Sequence, residues 1–336
     1  RGSHRVAMRA GRTLFEARQS LAGLFGIRNP NDIVFTQNTT AALNLAIKGW
    51  VREGDHVICT AVEHNSVRRP LEYVKAVRRA SVTYVETDET GMLNLDRLAE
   101  AIRPNTRLIV CTHSSNLLGS ILPIAEIASL ARSRGIRLLV DAAQTAGTVP
   151  IDVGRMGIDM LAFPGHKGLL GPQGTGGLYI TPEIELEPLL HGGTGSQSEA
   201  AEQPSVRPDR YEAGTPNTPG IAGLNVGVHY VLQETVERIR SREWALTQRM
   251  MDGLRGIPGL RLLGPPPEVA RTGIISFTLD WMDAARTAFV LDRDYGIAVR
   301  AGYHCTPLAH LCAGTFGTGA VRASLGCFTT EDEVDA

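Results

Sequence analysis

Between residues 32 and 180, short runs of valine, isoleucine and leucine alternate with longer segments in which apolar residues recur every three or four positions. The runs are "DIVF", "HVICTAV", "SVTYV", "RLIVCT", "IRLLVDAA", "DMLAF" and "GGLYI". Their length and β-branched content predict strands, and the intervening periodicity predicts helices over 40–48, 66–79, 94–102 and 123–134. Strands alternating with helices build a parallel sheet covered by helices, an α/β fold. Residues 220–254 read as largely helical, interrupted near "RSRE", and connect a large domain (1–219) to a smaller one (255–336). In the latter, "TGIISFTLD" and "GIAVRAG" flank a helical "MDAARTAFVLDRD", an α+β pattern. No internal repeat or low-complexity segment interrupts this plan.

In open α/β sheets, ligands sit beyond the carboxyl ends of the strands. Five predicted strands run there into polar groups: Asn38-Thr39-Thr40, Glu63-His64-Asn65, His113 with Asn116, Asp141 with Gln144, and His166-Lys167. Asn-Thr-Thr before "AALNLAI" serves equally as a helix cap or as an anion site, because both use the unpaired amides of a helix N-terminus. His64 alone reads as well as a strand end. Asp141 is different. A carboxylate directly after a buried apolar run needs a cation or several donors.

Lys167 heads the stretch "FPGHKGLLGPQGTGGLYI". A phosphate-binding P-loop places its lysine after the last glycine, and here most of the glycines follow the lysine. The dinucleotide fingerprint fails as well, because Gly171, Gly174 and Gly176 have the reverse spacing and lead into a strand. Two readings remain: a solvated surface lysine, or a lysine held by tight turns where a ligand comes close. A ligand with a phosphate, a protonated aromatic ring nitrogen and an aldehyde would satisfy the helix N-terminus, Asp141 and Lys167 together. Pyridoxal 5'-phosphate has those features.

"VDAAQT" followed by "GHKGLLGPQGTGGLY" resembles the class V aminotransferase family of fold type I pyridoxal-phosphate enzymes, in its cysteine desulfurase and selenocysteine lyase branch. The likeness runs over nearly the whole chain. It implies a fold type I α/β architecture in which Lys167 carries the cofactor, Asp141 pairs with the ring nitrogen, Gln144 reaches the ring hydroxyl and His64 stacks on the ring. Thr39, Thr40 and His166 would hold the phosphate. "YEAGTPN" resembles the segment that reaches the neighbouring subunit's phosphate, so Thr215 implies a homodimer with shared sites.

Cys305 lies in "AVRAGYHCTPLAH". Cysteine is often a buried structural thiol, but Gly302, Tyr303, His304 and Pro307 describe an accessible loop and not a packed strand. Arg300, His304 and His310 would favour the thiolate if the fold brings them close. His304, Cys305, His310 and Cys312 match no common zinc spacing, and no metal is expected. "VRAGYHC" with "VRASLGCF" resembles the desulfurases with a short catalytic-cysteine loop, although "HCTPLAH" departs from the best-known members. By that resemblance Cys305 takes the sulfur, Arg322 binds the substrate carboxylate with Asn116 as helper, and Arg300 is a second active-site arginine. The substrate is L-cysteine or L-selenocysteine, the product L-alanine, and the sulfur acceptor a protein or a small molecule. Lys167 is the natural base and His64 a candidate proton donor. An aminotransferase or other lyase of the same family remains the alternative, and a non-enzymatic phosphate-ligand binder the rival from another class.

The opening "RGSHR" reads either as the remnant of an expression tag or, by the same resemblance, as the branch's Arg-Gly-x-His motif, with His4 in the active site. The abrupt start leads us to expect further native residues upstream. A net charge of −1 without a long basic run implies neither nucleic acid nor an anionic membrane as partner. No apolar stretch is long enough to span a bilayer. Five scattered cysteines without a Cys-x-x-Cys pair suit reduced thiols, so the expectation is a soluble, cytoplasmic enzyme.

Overall fold

The structure, a computed structural model, describes residues 4–336. Each apolar run in the first half of the chain becomes a strand: β1 (Ile33–Thr36), β2 (His56–Thr60), β3 (Ser81–Val85), β4 (Thr106–Thr112), β5 (Arg137–Asp141), β6 (Met160–Pro164) and β7 (Gly176–Ile180). They form one sheet in the order β1-β7-β6-β5-β4-β2-β3. Strands β2 to β6 pair in parallel, whereas β7 is antiparallel to both β6 and β1. The reversal has a local cause: the glycine-rich loop after β6 returns directly as its neighbour, and a direct return gives an antiparallel pair. All the strands except β7 therefore point the same way and end at one edge.

Helices cover both faces. They are α1 (Arg5–Phe25), α2 (Thr39–Trp50), α3 (Asn65–Arg78), α4 (Leu95–Glu100), α5 (Ile124–Ser133) and α6 (Val153–Met156). Alternation along β4 shows why two layers form. Ile109 and Cys111 join one apolar cluster with Phe25, Leu138 and Phe163, and Leu108 and Val110 join another with Leu43, Ile47 and Met160. Successive side chains on a strand point to opposite faces, and burial on both faces is what a near-continuous apolar run requires.

α7 (Thr218–Glu234) and α8 (Val236–Arg255) follow. The break between them falls at Thr235, which takes a φ of 63° and caps α8 through its hydroxyl. The expected interruption at "RSRE" does not occur: those residues are continuous helix within α8, with Glu243 buried on its inner face. A second sheet, ordered β10-β11-β9-β8, is antiparallel throughout. It comprises β8 (Leu260–Leu263), β9 (Ile274–Leu279), β10 (Arg300–Gly302) and β11 (Ala320–Ser324), with α9 (Ala284–Tyr295), α10 (Pro307–Cys312) and α11 (Glu331–Asp335) around it. Of "GIAVRAG" only 300–302 is strand, a shorter element than the sequence predicts.

Candidate active site

The polar groups expected beyond the strands do gather at one edge of the large sheet. At the N-terminus of α2, Asn38 is the cap, its side chain accepting from Ala41 N at 2.9 Å. That leaves the two threonine hydroxyls for other partners. Thr39 Oγ1 is buried without any hydrogen bond, and Thr40, which is exposed, meets Ser66 Oγ at 2.7 Å. The helix end lies close against β7: a Cβ on Gly176 would come within 2.8 Å of Phe163 O and 3.0 Å of Asn38 Cα, so this approach needs glycine.

His64 caps α3, its Nδ1 accepting from Ser66 N at 3.0 Å and lying 2.9 Å from Ser66 Oγ. Because a backbone N–H can only donate, Nδ1 keeps its lone pair and neutral His64 carries its proton on Nε2. Burial, and then the charges of Lys167, Arg300, Arg69 and Arg322, pull its pKa down to about 4. His64 is therefore neutral near pH 7.

Asp141 ends β5 and is almost fully buried. Burial pushes its pKa up to about 6, against the opposing effects of Ala143 N–H, which donates to Oδ1 at 2.9 Å, and of Lys167. Lys167 follows β6 at the same edge: its side chain is exposed to solvent, while neighbouring protein atoms crowd the ammonium. Desolvation by these atoms lowers its pKa; Asp141 opposes the shift, and Arg322 and Arg300 add to it. A lysine so placed gives up its proton more readily than one on a convex surface. The loop that holds it is tight. Leu170 N donates to Lys167 O at 2.8 Å and Gly171 N to Gly165 O at 2.7 Å, and a Cβ on Gly168 would stand 2.5 Å from Ala146 O. His166, beside it, is exposed, and its pKa is lowered by partial burial and by Lys167. Gln144 is half-buried on the turn after β5.

The small sheet brings Cys305 to the same edge, where Cys305 O accepts from Asn65 N at 2.7 Å. Arg300 Nη2 donates to Cys305 Sγ at 3.4 Å, and Cys305 is partly accessible. Of the other two groups expected to approach Cys305, His304 turns Nε2 to Ala320 O at 3.0 Å and His310 turns Nδ1 to Thr315 Oγ1 at 2.7 Å. Both imidazoles thus have partners away from the sulfur. Arg300 and Arg322 are direct cross-strand partners in β10 and β11. Burial and the charge of Arg300 lower the pKa of Arg322, while Cys305 opposes them. Arg322 Nη1 donates to Asn116 O at 2.9 Å, and Asn116 Nδ2 donates to His304 O at 2.7 Å. The amide of Asn116 thus holds the cysteine loop, a contact not foreseen in the sequence.

Two further expected residues are exposed. His4 is exposed and caps α1 through Nδ1, and the Arg-Gly-Ser before it lies outside the described residues. Thr215 is exposed in a segment anchored to β1: the buried Glu212 carboxylate pairs with Arg18 and accepts from Phe35 N at 2.7 Å. Two contributors, Ser66 and Thr306, were missed, and Glu63 was placed at this edge without a role. Ser66 fixes the His64 ring, the fully buried Glu63 ties β2 to β4 by accepting from Thr112 N at 2.6 Å, and Thr306 reaches Glu63 O at 2.9 Å. Ser66 follows His64 by two positions in "EHNS", which is the signal that could have found it.

The family model for aminotransferase class V matches residues 1–336. A probable cysteine desulfurase of Methanothermobacter thermautotrophicus is 37% identical over 342 residues, covering 99% of this chain and 84% of that protein. A cysteine desulfurase of Cronobacter sakazakii is 37% identical over 347 residues, covering 100% of this chain and 83% of that protein. Among solved structures, the apo cysteine desulfurase of Thermococcus onnurineus NA1 superposes with a TM-score of 0.93 at 33% identity, covering 100% of this chain and 84% of that one. The fold is that of the fold type I pyridoxal-phosphate enzymes, and the chain belongs to the class V aminotransferase family.

Proposed function

We propose that this chain is a pyridoxal-phosphate-dependent cysteine desulfurase that converts L-cysteine to L-alanine and holds the sulfur as a persulfide on Cys305. One observation carries the reading. Arg300, which donates to Cys305 Sγ, and its cross-strand partner Arg322 both act on Lys167, which supports nucleophile and lysine serving one site.

The residues fit the cofactor. The unpartnered Thr39 hydroxyl and Thr40 at the helix end, with His166 from the loop after β6, would hold a phosphate, and the buried Asp141 carboxylate would meet a protonated ring nitrogen. Gln144 would take the ring hydroxyl, His64 the ring face and Lys167 the aldehyde. Bound there, pyridoxal phosphate supplies an electron sink that makes the substrate's Cα proton removable.

The chain's own groups do the rest. Arg322, with Asn116 behind it, binds the substrate carboxylate. Lys167, inclined toward its neutral form by burial, takes the Cα proton. Cys305 Sγ attacks the substrate sulfur; an S–S bond forms, the C–S bond breaks, and the carbon fragment leaves as alanine after protonation. His64 holds a proton on Nε2 near that step. The exposed Thr215 segment supports a homodimer in which each subunit completes the other's phosphate site, and the accessibility of Cys305 supports transfer of the sulfur to an acceptor protein. The five unpaired cysteines fit a cytoplasmic enzyme; among the described residues no helix is long and apolar enough to cross a membrane. Product analysis tests the proposal: cofactor-loaded protein given L-cysteine forms alanine, whereas a keto acid as the product would mean transamination or elimination.

A further inference from the structure

Three consecutive residues of the cysteine loop are each held by a different group of the large-sheet edge. His304 O accepts from Asn116 Nδ2 at 2.7 Å. Cys305 O accepts from Asn65 N at 2.7 Å, satisfying an amide in the first turn of α3 that has no partner within its own helix. Thr306 Oγ1, fully buried, donates to Glu63 O at 2.9 Å. Within this clamp His304 and Cys305 have φ values of 50° and 60°, the left-handed region that side chains other than glycine seldom occupy. Two such residues in succession persist only where the surroundings over-determine them.

We propose that Thr306 is a positioning residue for the catalytic cysteine: its hydroxyl, closing the clamp across 243 residues of chain, holds Cys305 in the left-handed conformation that sets its sulfur beside Arg300. Asn116 and Asn65 grip carbonyls through a side-chain amide and a backbone amide. Thr306 is the one loop residue that contributes a side chain of its own to the clamp. It follows directly after Cys305, and α10 begins at the next residue, Pro307, so the hydroxyl fixes the point where the loop enters that helix. Without it the strained pair can relax toward right-handed or extended backbone, and the sulfur leaves Arg300.

This inference rests on the desulfurase reading for its consequence in turnover, but not for its structural content. Its test is Thr306→Val, which keeps the shape and removes the donor, with Thr306→Ser restoring the donor, both as cofactor-loaded protein. The expected result is a fall in kcat for L-cysteine of about tenfold, the weight of one hydrogen bond. KM and cofactor absorbance stay unchanged, amide hydrogen exchange at residues 303–306 quickens, and the serine variant recovers both kcat and exchange. Wild-type exchange and kcat in Thr306→Val would overturn the proposal. So would a loss that spreads to cofactor binding and is not restored by serine, since that marks a general packing role. If exchange quickens locally while even the wild-type protein makes no alanine, the clamp stands and the desulfurase reading fails.

Discussion

Arg300 and Arg322 stand directly opposite one another in β10 and β11, and both act on Lys167 and His64 of the large domain. Like charges facing each other across a strand pair repel. Among the described residues, Asp141 is the carboxylate that acts on Lys167. The excess of positive charge suits anionic groups such as the proposed substrate carboxylate and cofactor phosphate.

Replacing Arg322 by glutamine removes one of those charges and a charge-assisted hydrogen bond to the substrate. KM for L-cysteine is expected to rise roughly 10- to 100-fold, while cofactor absorbance stays. Steady-state kinetics decide it; an unchanged KM would place the carboxylate elsewhere.

Glu63 sets a pH dependence of stability. Burial pushes its pKa from 4.5 up to about 8, opposed by hydrogen bonds from Thr60 and Thr112. The folded protein therefore keeps a proton that the unfolded chain releases, and stability falls as pH rises from about 4.5 to about 8. Glu243, raised to about 7 by burial, adds to the slope only below that pH. The interval from pH 7 to 8 thus belongs mainly to Glu63. Thermal melting of Glu63→Gln should show a shallower loss of melting temperature there than the parent protein.

Glu212 anchors the segment that carries Thr215. Its carboxylate pairs with the buried Arg18 and accepts from Phe35 N. Glu212→Ala leaves a buried cation and a backbone N–H without their partner, at a cost of about 3–5 kcal/mol. Chemical denaturation measures it, and replacing Arg18 by methionine in the same chain should recover part of the loss.

The sheet was legible in the sequence because its signal is local: a strand buried on both faces must be a short apolar run, and five of those runs ended in polar groups. The same logic found Asp141 and Lys167, whose chemistry makes little sense apart. What the sequence could not display were contacts that depend on distant registers. Thr306 meets Glu63 across 243 residues, and Arg300 faces Arg322 only because β10 and β11 pair in that register. The break at Thr235 escaped notice because it depends on a single residue adopting positive φ, while the charged "RSRE" that drew attention is an ordinary helix segment. Asn116 was found as a site residue, but its grip on His304 O needed the fold.

The central claim is that Cys305 takes sulfur from L-cysteine. Intact-protein mass spectrometry of cofactor-loaded enzyme, incubated with L-cysteine in the absence of reductant and followed by peptide mapping, tests it most directly. One added sulfur on the peptide containing Cys305, absent from a Cys305→Ser variant that still binds the cofactor, is the predicted result. An unmodified Cys305 in protein whose cofactor band is intact would contradict it.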